Sequence, residues 1–190
     1  MVGLKVHRNR GSKTIHLLQG LYIHKVLARF SMNSANPTHT PLLTNKNLMK
    51  TEDLPTPCND ELYAELVGSL MYAAVGSRPD LTHTVSVLSQ FTTQYEQRHW
   101  MAAKRTLQYL VGTIDLGINY KSNDASLTGY SDTDFANNEL DCRSLTGYVF
   151  KIGNTAVTWN TRKQPTVALS TMEAEYMAVA AATHTLLPVT

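Results

Sequence analysis

Carboxylates are missing from the first quarter of this chain: the first is Glu52, while Lys5, Arg8, Arg10, Lys13, Lys25, Arg29, Lys46 and Lys50 all precede it. Cysteine is scarce too. Cys58 and Cys142 stand far apart with no second Cys or His at ligand spacing, which argues against a disulfide framework or a zinc site. No run approaches the ~18 consecutive apolar residues of a membrane helix, and residues 1–10 lack the apolar centre of a signal peptide. The expectation is an intracellular protein, cytoplasmic or nuclear, with no membrane partner. What is present is enough for a core, since 43% of the 190 residues are hydrophobic. The net charge of +2 divides unevenly, +4 over residues 1–126 and −2 over residues 127–190. A basic part beside an acidic part suits a protein that holds phosphate with one and cations with the other; ordinary surface solvation gives the same counts.

Residues 2–6 and 14–17 predict two short strands around a polar turn at 9–12, a basic hairpin. Tyr22, Ile23, Val26, Leu27 and Phe30 then follow helical spacing. Residues 33–59 hold Pro37, Pro41, Pro55 and Pro57 among Thr and Asn, which predicts an extended connection. Three helices follow. The first opens on Asn59 as its cap and lines Leu62, Leu66 and Leu70 on one side. The second follows Arg78-Pro79, where the residue before proline leaves the helical region, and buries Leu81, Val85, Leu88 and Phe91. The third buries Trp100, Ala103, Leu107 and Leu110, turns Lys104, Arg105 and Gln108 outward, and ends at Gly112. Period-two patterns at 117–120, 127–131, 147–152 and 156–160 predict an antiparallel sheet. A helix from Ser170 then shows a small-residue face of Ala174, Met177, Ala178 and Ala181.

Two acidic pairs fall in the last third: Asp132 with Asp134 at a strand end, and Glu173 with Glu175 near a helix start. A strand end and a helix from elsewhere in the chain can offer oxygen ligands to one magnesium ion, which retains waters and needs few carboxylates beside a phosphodiester. Taken singly, Asp134, Glu139, Asp141 and Glu173 are each better read as solvated surface.

The wording around them is more specific. Gly129-Tyr-Ser-Asp-Thr-Asp-Phe-Ala136, Cys142-Arg-Ser-Leu-Thr-Gly-Tyr-Val-Phe150 and Val157-Thr-Trp-Asn-Thr-Arg-Lys-Gln-Pro-Thr-Val-Ala-Leu-Ser-Thr-Met-Glu-Ala-Glu-Tyr176 resemble the RNase H domain of copia-type LTR retrotransposon Pol polyproteins. Upstream, Val67-Gly-Ser-Leu-Met-Tyr72, Ser77-Arg-Pro-Asp80, Val85-Ser-Val-Leu-Ser89 and His99-Trp-Met-Ala-Ala-Lys-Arg-Thr-Leu-Gln-Tyr-Leu-Val-Gly-Thr113 are similar to the segment joining polymerase to RNase H there. Several long motifs in the same order make chance agreement improbable.

The resemblance implies an α+β chain: residues 1–120 as the reverse transcriptase's C-terminal, thumb- or connection-like segment, and residues 121–190 as a partial RNase H-like domain of three antiparallel strands and one long helix. It implies catalytic and metal-binding roles for Asp132 and Glu175, with Mg2+ as the ion and an RNA–DNA hybrid as the partner; no small-molecule cofactor is implied. Asp134 is an outer neighbour. Ser170 and Thr171 either cap the helix or also approach the RNA strand. Arg143 and Lys163, like Lys104 and Arg105, either contact phosphate or solvate the surface. The family's third aspartate, in a later strand, has no counterpart among residues 176–190, which contain no carboxylate, and the polymerase aspartates would lie before Met1. The expectation is therefore a truncated, incomplete metal site, inactive alone, with an exposed sheet edge open to self-association. The alternatives are a non-catalytic nucleic-acid-binding remnant that uses the basic N-terminal half, and residual cleavage through Asp132 and Glu175.

Overall fold

A computed structural model of the chain describes residues 3–43, 48, 60–121, 126–135 and 142–186. Two units divide it, Met1–Lys121 and Ser122–Thr190. The elements run β1 (Lys5–Asn9), β2 (Thr14–Leu18), α1 (Gly20–Arg29), α2 (Asp60–Gly76), a 3-10 turn (Pro79–Leu81), α3 (Thr82–Ser89), α4 (Gln97–Gly112), β3 (Ile118–Lys121), β4 (Leu127–Asp134), β5 (Leu145–Ile152), β6 (Thr155–Lys163) and α5 (Thr171–Leu186). Among the described residues these make five α-helices and two three-stranded antiparallel sheets, the expected α+β class.

In the first unit the basic hairpin forms where expected, from Lys5 opposite Leu18 to Asn9 opposite Thr14. Asn9 closes its turn by accepting the Ser12 N–H at 3.2 Å. One strand goes elsewhere than its periodicity suggested. Residues 118–121 do not join the later strands; as β3 they extend the hairpin, with Ile15 opposite Tyr120 and Leu17 opposite Ile118. Ile118 and Tyr120 thereby continue an apolar row begun by Leu17 and Ile15. A period of two specifies a face but not a partner.

The helices of this unit share one core. Ile23, Val26 and Leu27 of α1 meet Tyr63, Leu66, Val67, Leu70, Ala73 and Ala74 of α2, with Val85, Leu88, Ala103, Leu107 and Leu110 from α3 and α4. In α2 the buried stripe starts at Tyr63, so Leu62 falls off it and is 42% exposed, contrary to its expected place beside Leu66 and Leu70. Lys104 and Arg105 are half-buried rather than turned fully outward: Lys104 Nζ lies 5.3 Å from the centre of the Trp100 ring, and Arg105 donates to Thr40 Oγ1 at 2.9 Å. Asn59, expected to cap α2, lies outside the described residues.

Arg78 sits where α2 ends, its backbone outside the helical region ahead of Pro79 as its sequence context requires. Its side chain is fully buried. Five bonds to two partners satisfy the guanidinium: Nε to Asp80 Oδ1 at 3.0 Å and Oδ2 at 3.2 Å, one terminal nitrogen to Asp80 Oδ2 at 2.8 Å and Thr113 Oγ1 at 2.7 Å, and the other to the Thr113 carbonyl at 2.9 Å. Tyr109 donates to the same carboxylate at 2.9 Å while its ring lies 5.5 Å from the guanidinium carbon. One cation therefore joins the end of α2 to the end of α4. A second buried polar link runs from the Ser77 hydroxyl to Gln19 Oε1 at 2.8 Å, next to Gly76, where a Cβ would overlap the Gln19 amide.

His99 is likewise part of the frame. Its Nδ1 accepts the Glu96 N–H at 2.8 Å, closing a capping box at the start of α4; its Nε2 lies 2.9 Å from the Leu48 carbonyl, and its ring stacks on Phe91 with centroids 4.0 Å apart. Accepting at one nitrogen and donating at the other requires the neutral ring. Burial, the largest influence, lowers its pKa below the ordinary 6.5.

In the second unit the strand order is β4-β5-β6, and α5 packs on β4 and β5 through Ala174, Ala178 and Ala182, all buried. Small side chains let the helix approach closely. Gly129 of β4 leaves room for the Phe150 ring, which a Cβ would overlap. No helix among the described residues is long and apolar enough to cross a membrane.

Arg78→Ala takes from Asp80 its cation and from Thr113 its guanidinium donor, leaving Asp80 with the Tyr109 hydroxyl, so it should cost about 3 kcal/mol, whereas Arg29→Ala, at the exposed Arg29–Glu65 pair, should cost under about 1 kcal/mol. Urea unfolding followed by helical circular dichroism checks both; equal midpoint shifts would refute the ranking. For His99 the lowered pKa means that its contribution is present above about pH 6.5 and is lost as acid titrates the unfolded ring first and then the folded one. Melting temperature should fall on acidification, and His99→Gln should start lower at neutral pH but fall less.

Candidate functional site

Asp132 lies near the end of β4, opposite Gly147 of β5, and its side chain is exposed. Glu175 is exposed on the second turn of α5. What joins their neighbourhoods is Gln164, which directly follows β6 and is 3% exposed. Its Nε2 lies 2.9 Å from the Ala174 carbonyl, 2.9 Å from Thr146 Oγ1 and 3.4 Å from Thr133 Oγ1. Thr133 adjoins Asp132 and Ala174 adjoins Glu175, so one amide ties the residue beside each carboxylate to the other.

The flanks of α5 give the direction. Met177, Ala180, Ala181 and His184 close a cavity of about 310 Å3 with Thr146, Arg162, Gln164 and Pro165, so this flank faces β5 and β6. At 100° per residue Glu175 falls on the opposite flank, toward the side of β4 that pairs with no strand among the described residues. Asp132 stands on that same strand. Pleating turns it to the face opposite Thr133, hence away from the helix, so Asp132 and Glu175 stand on opposite faces of β4. Among the described residues no three His, Cys, Asp or Glu side chains converge as a metal-binding group.

Glu173 and Ser170 are occupied in a different way. Ser170 Oγ accepts the Glu173 N–H at 3.1 Å, and the Glu173 carboxylate accepts the Leu169 N–H at 2.7 Å, so the pair caps the helix start. Thr171 is the first residue of α5 and is exposed. Asp134 ends β4 opposite Leu145, which pairs in turn with Lys163 of β6; Arg143 and Lys163 are half-buried. Lys104 and Arg105 lie in the other unit, held by Trp100 and Thr40. Sequence reasoning missed Gln164, whose only sequence signal was its place in the motif between Lys163 and Pro165; its three partners come from three other elements.

Similar proteins were found by sequence. The retrovirus-related Pol polyprotein from transposon TNT 1-94 of Nicotiana tabacum is 40% identical over 184 residues, which is 94% of this chain and 14% of that protein. The retrovirus-related Pol polyprotein from transposon RE2 of Arabidopsis thaliana is 40% identical over 178 residues, 93% of this chain and 12% of that protein. Secreted RxLR effector protein 161 of Plasmopara viticola is 46% identical over 123 residues, 64% of this chain and 87% of that protein. The chain thus spans about an eighth of the length of the two polyproteins. No protein-family model matches the chain, and no solved structure does.

Gln164→Ala removes the donor shared by Thr133, Thr146 and Ala174 and should loosen α5 by about 1–3 kcal/mol. Hydrogen exchange of the α5 amides should quicken by about one to two orders of magnitude while amides of α2 and α4 stay protected. Unchanged protection of α5 would mean that the amide does not hold the helix in place.

Proposed function

Because the chain belongs to the retrovirus-related Pol polyproteins of copia-type transposons, we propose that it serves reverse transcription by contributing part of an RNase H site. Asp132 and Glu175 are the magnesium-holding and catalytic residues of that site, and the RNA strand of an RNA–DNA hybrid is the substrate. What supports this is that Gln164 bonds to Thr133, next to Asp132, and to Ala174, next to Glu175, which keeps the two motif carboxylates in one helix-and-strand pair. Glu173 Oε2 already accepts the Leu169 N–H, which favours Glu175 as the helix's contribution.

The donor set fits magnesium in part. Exposed carboxylates are hard oxygen ligands, and one or two of them plus substrate phosphate oxygens commonly suffice for this ion. When bound, the ion supplies positive charge at the scissile phosphate and a more acidic water. Residues 176–190 add no further carboxylate, so the 190 residues by themselves cleave at or near background. Arg143, Lys163, Ser170 and Thr171 would contact the hybrid from the same unit, and Lys104 and Arg105 from the other. The free side of β4 is also where a second copy would pair.

A second reading is binding without cleavage. It is favoured by the first 51 residues, which carry no acid against eight Lys and Arg.

Grafted in place of the matching segment of the tobacco polyprotein, the chain should support hybrid cleavage that falls about 100-fold or more in Asp132→Asn or Glu175→Gln. Glu173→Gln should retain the rate within a few-fold. Equal rates for Asp132→Asn and the unaltered graft would refute the assignment.

A further inference from the structure

Gln164 lines the cavity of about 310 Å3 beside α5, and only one end of its amide is satisfied. Ala174 offers a backbone carbonyl, which only accepts, so the nitrogen must stand on that side and the amide cannot be turned over. Oε1 is the remaining end, and it is buried with no hydrogen-bond partner among the described residues. A buried acceptor left unmade costs free energy that a ligand's N–H would recover. Arg162 stands two residues earlier on β6, opposite Thr146, so it shares the cavity's face of the sheet. It is exposed and makes no hydrogen bond or ion pair among the described residues.

These groups define what fits. A cation with a planar fork takes a carboxylate or a phosphate. The flank of α5 that closes the cavity extends to His184 in the last turn of the helix, where the helix dipole is negative. That end disfavours a doubly charged phosphate more than a singly charged carboxylate. No carboxylate lines the cavity among the described residues. Met177, Pro165, Ala180 and Ala181 supply an apolar wall. Met177 is its flexible member and can shift to admit an N–H to Oε1. A carboxylate, an adjacent amide N–H and a short apolar side chain occur together in an acylated amino acid, of a size that about 310 Å3 admits.

We propose that the cavity enclosed by α5, β5 and β6 binds an N-acylamino acid unit, with its carboxylate on Arg162, its amide N–H on Gln164 Oε1 and its side chain against Met177. Two sources present this unit, a free N-acylamino acid and the carboxyl end of a polypeptide. The site lies on the flank of α5 away from Glu175 and is independent of the roles given to Asp132 and Glu175.

The test titrates N-acetyl-leucine into the full chain, labelled at its methionine methyl groups and followed by nuclear magnetic resonance. Met177 should shift saturably with a Kd on the order of 1 mM, as so small a ligand allows, while Met71 and Met101 of the first unit stay still. N-acetyl-leucinamide lacks the charge, and the acetate ester of leucic acid carries an oxygen in place of the N–H; each should bind at least about 10-fold more weakly. The ester probes Gln164 without altering a residue that holds α5 in place. Arg162→Gln should lose as much affinity as the amide ligand does, with hydrogen exchange of the α5 amides unchanged. A tripeptide ending in leucine with a free carboxyl group separates the sources: tighter binding assigns the site to a polypeptide end, and equal or weaker binding to a free acid. Absence of a saturable Met177 shift by about 20 mM ligand, equal binding of acid and ester, or undiminished binding by Arg162→Gln overturns the proposal, as does tighter binding of adenosine monophosphate.

Discussion

A single buried amide sets the relation between helix and sheet in the second unit. Gln164 Nε2 reaches the Ala174 carbonyl, Thr146 and Thr133, and those atoms belong to α5, β5 and β4. The helix face beneath it is alanine, which packs closely but offers little shape to prevent sliding. A slide of one turn would carry Glu175 about 5.4 Å along the helix axis. Directional hydrogen bonds supply the registration that Ala174, Ala178 and Ala182 cannot, and the placing of the carboxylates along β4 depends on it.

Arg78 performs the corresponding task in the first unit with a charge instead of an amide. Burial of a guanidinium is tolerable only because Asp80 and Thr113 satisfy it from two sides. Its bonds span the end of α2, the turn after it and the end of α4. The apolar contacts among these helices give most of the burial, and Arg78 gives them a defined arrangement.

These two residues also mark the limit of what could be read in advance. Local signals gave the hairpin around Asn9, the break before Pro79, the end of α4 at Gly112 and the cap at Ser170, because each depends on residues within a few positions. In α2 the expected stripe held at Leu66 and Leu70 but began at Tyr63 instead of Leu62, since both are apolar and only the neighbours of the helix choose between them. The partner of β3 was not legible: its alternation specifies a face, while β2, about a hundred positions earlier, supplies the pairing. Within the candidate site, Asp132 and Glu175 were singled out by motif alone. That Glu175 lies on the flank of α5 away from β6 required the direction of the helix, which comes from the cavity between its other flank and Arg162.

The family places both units in one polyprotein, and their chemistry divides along the charge. The three strands of the first unit carry cations and no carboxylate, and the second unit has exposed carboxylates at Asp132 and Glu175. The claim on which most depends is that Asp132 and Glu175 address one ion. Titration of isotope-labelled chain with Mn2+, read by paramagnetic broadening of side-chain carboxyl carbons, tests it directly. The account predicts that Asp132 and Glu175 broaden together at the same Mn2+ concentration, ahead of Glu173, and that Asp132→Asn delays Glu175 as well. Independent broadening of the two, or broadening of Glu173 first, would contradict it.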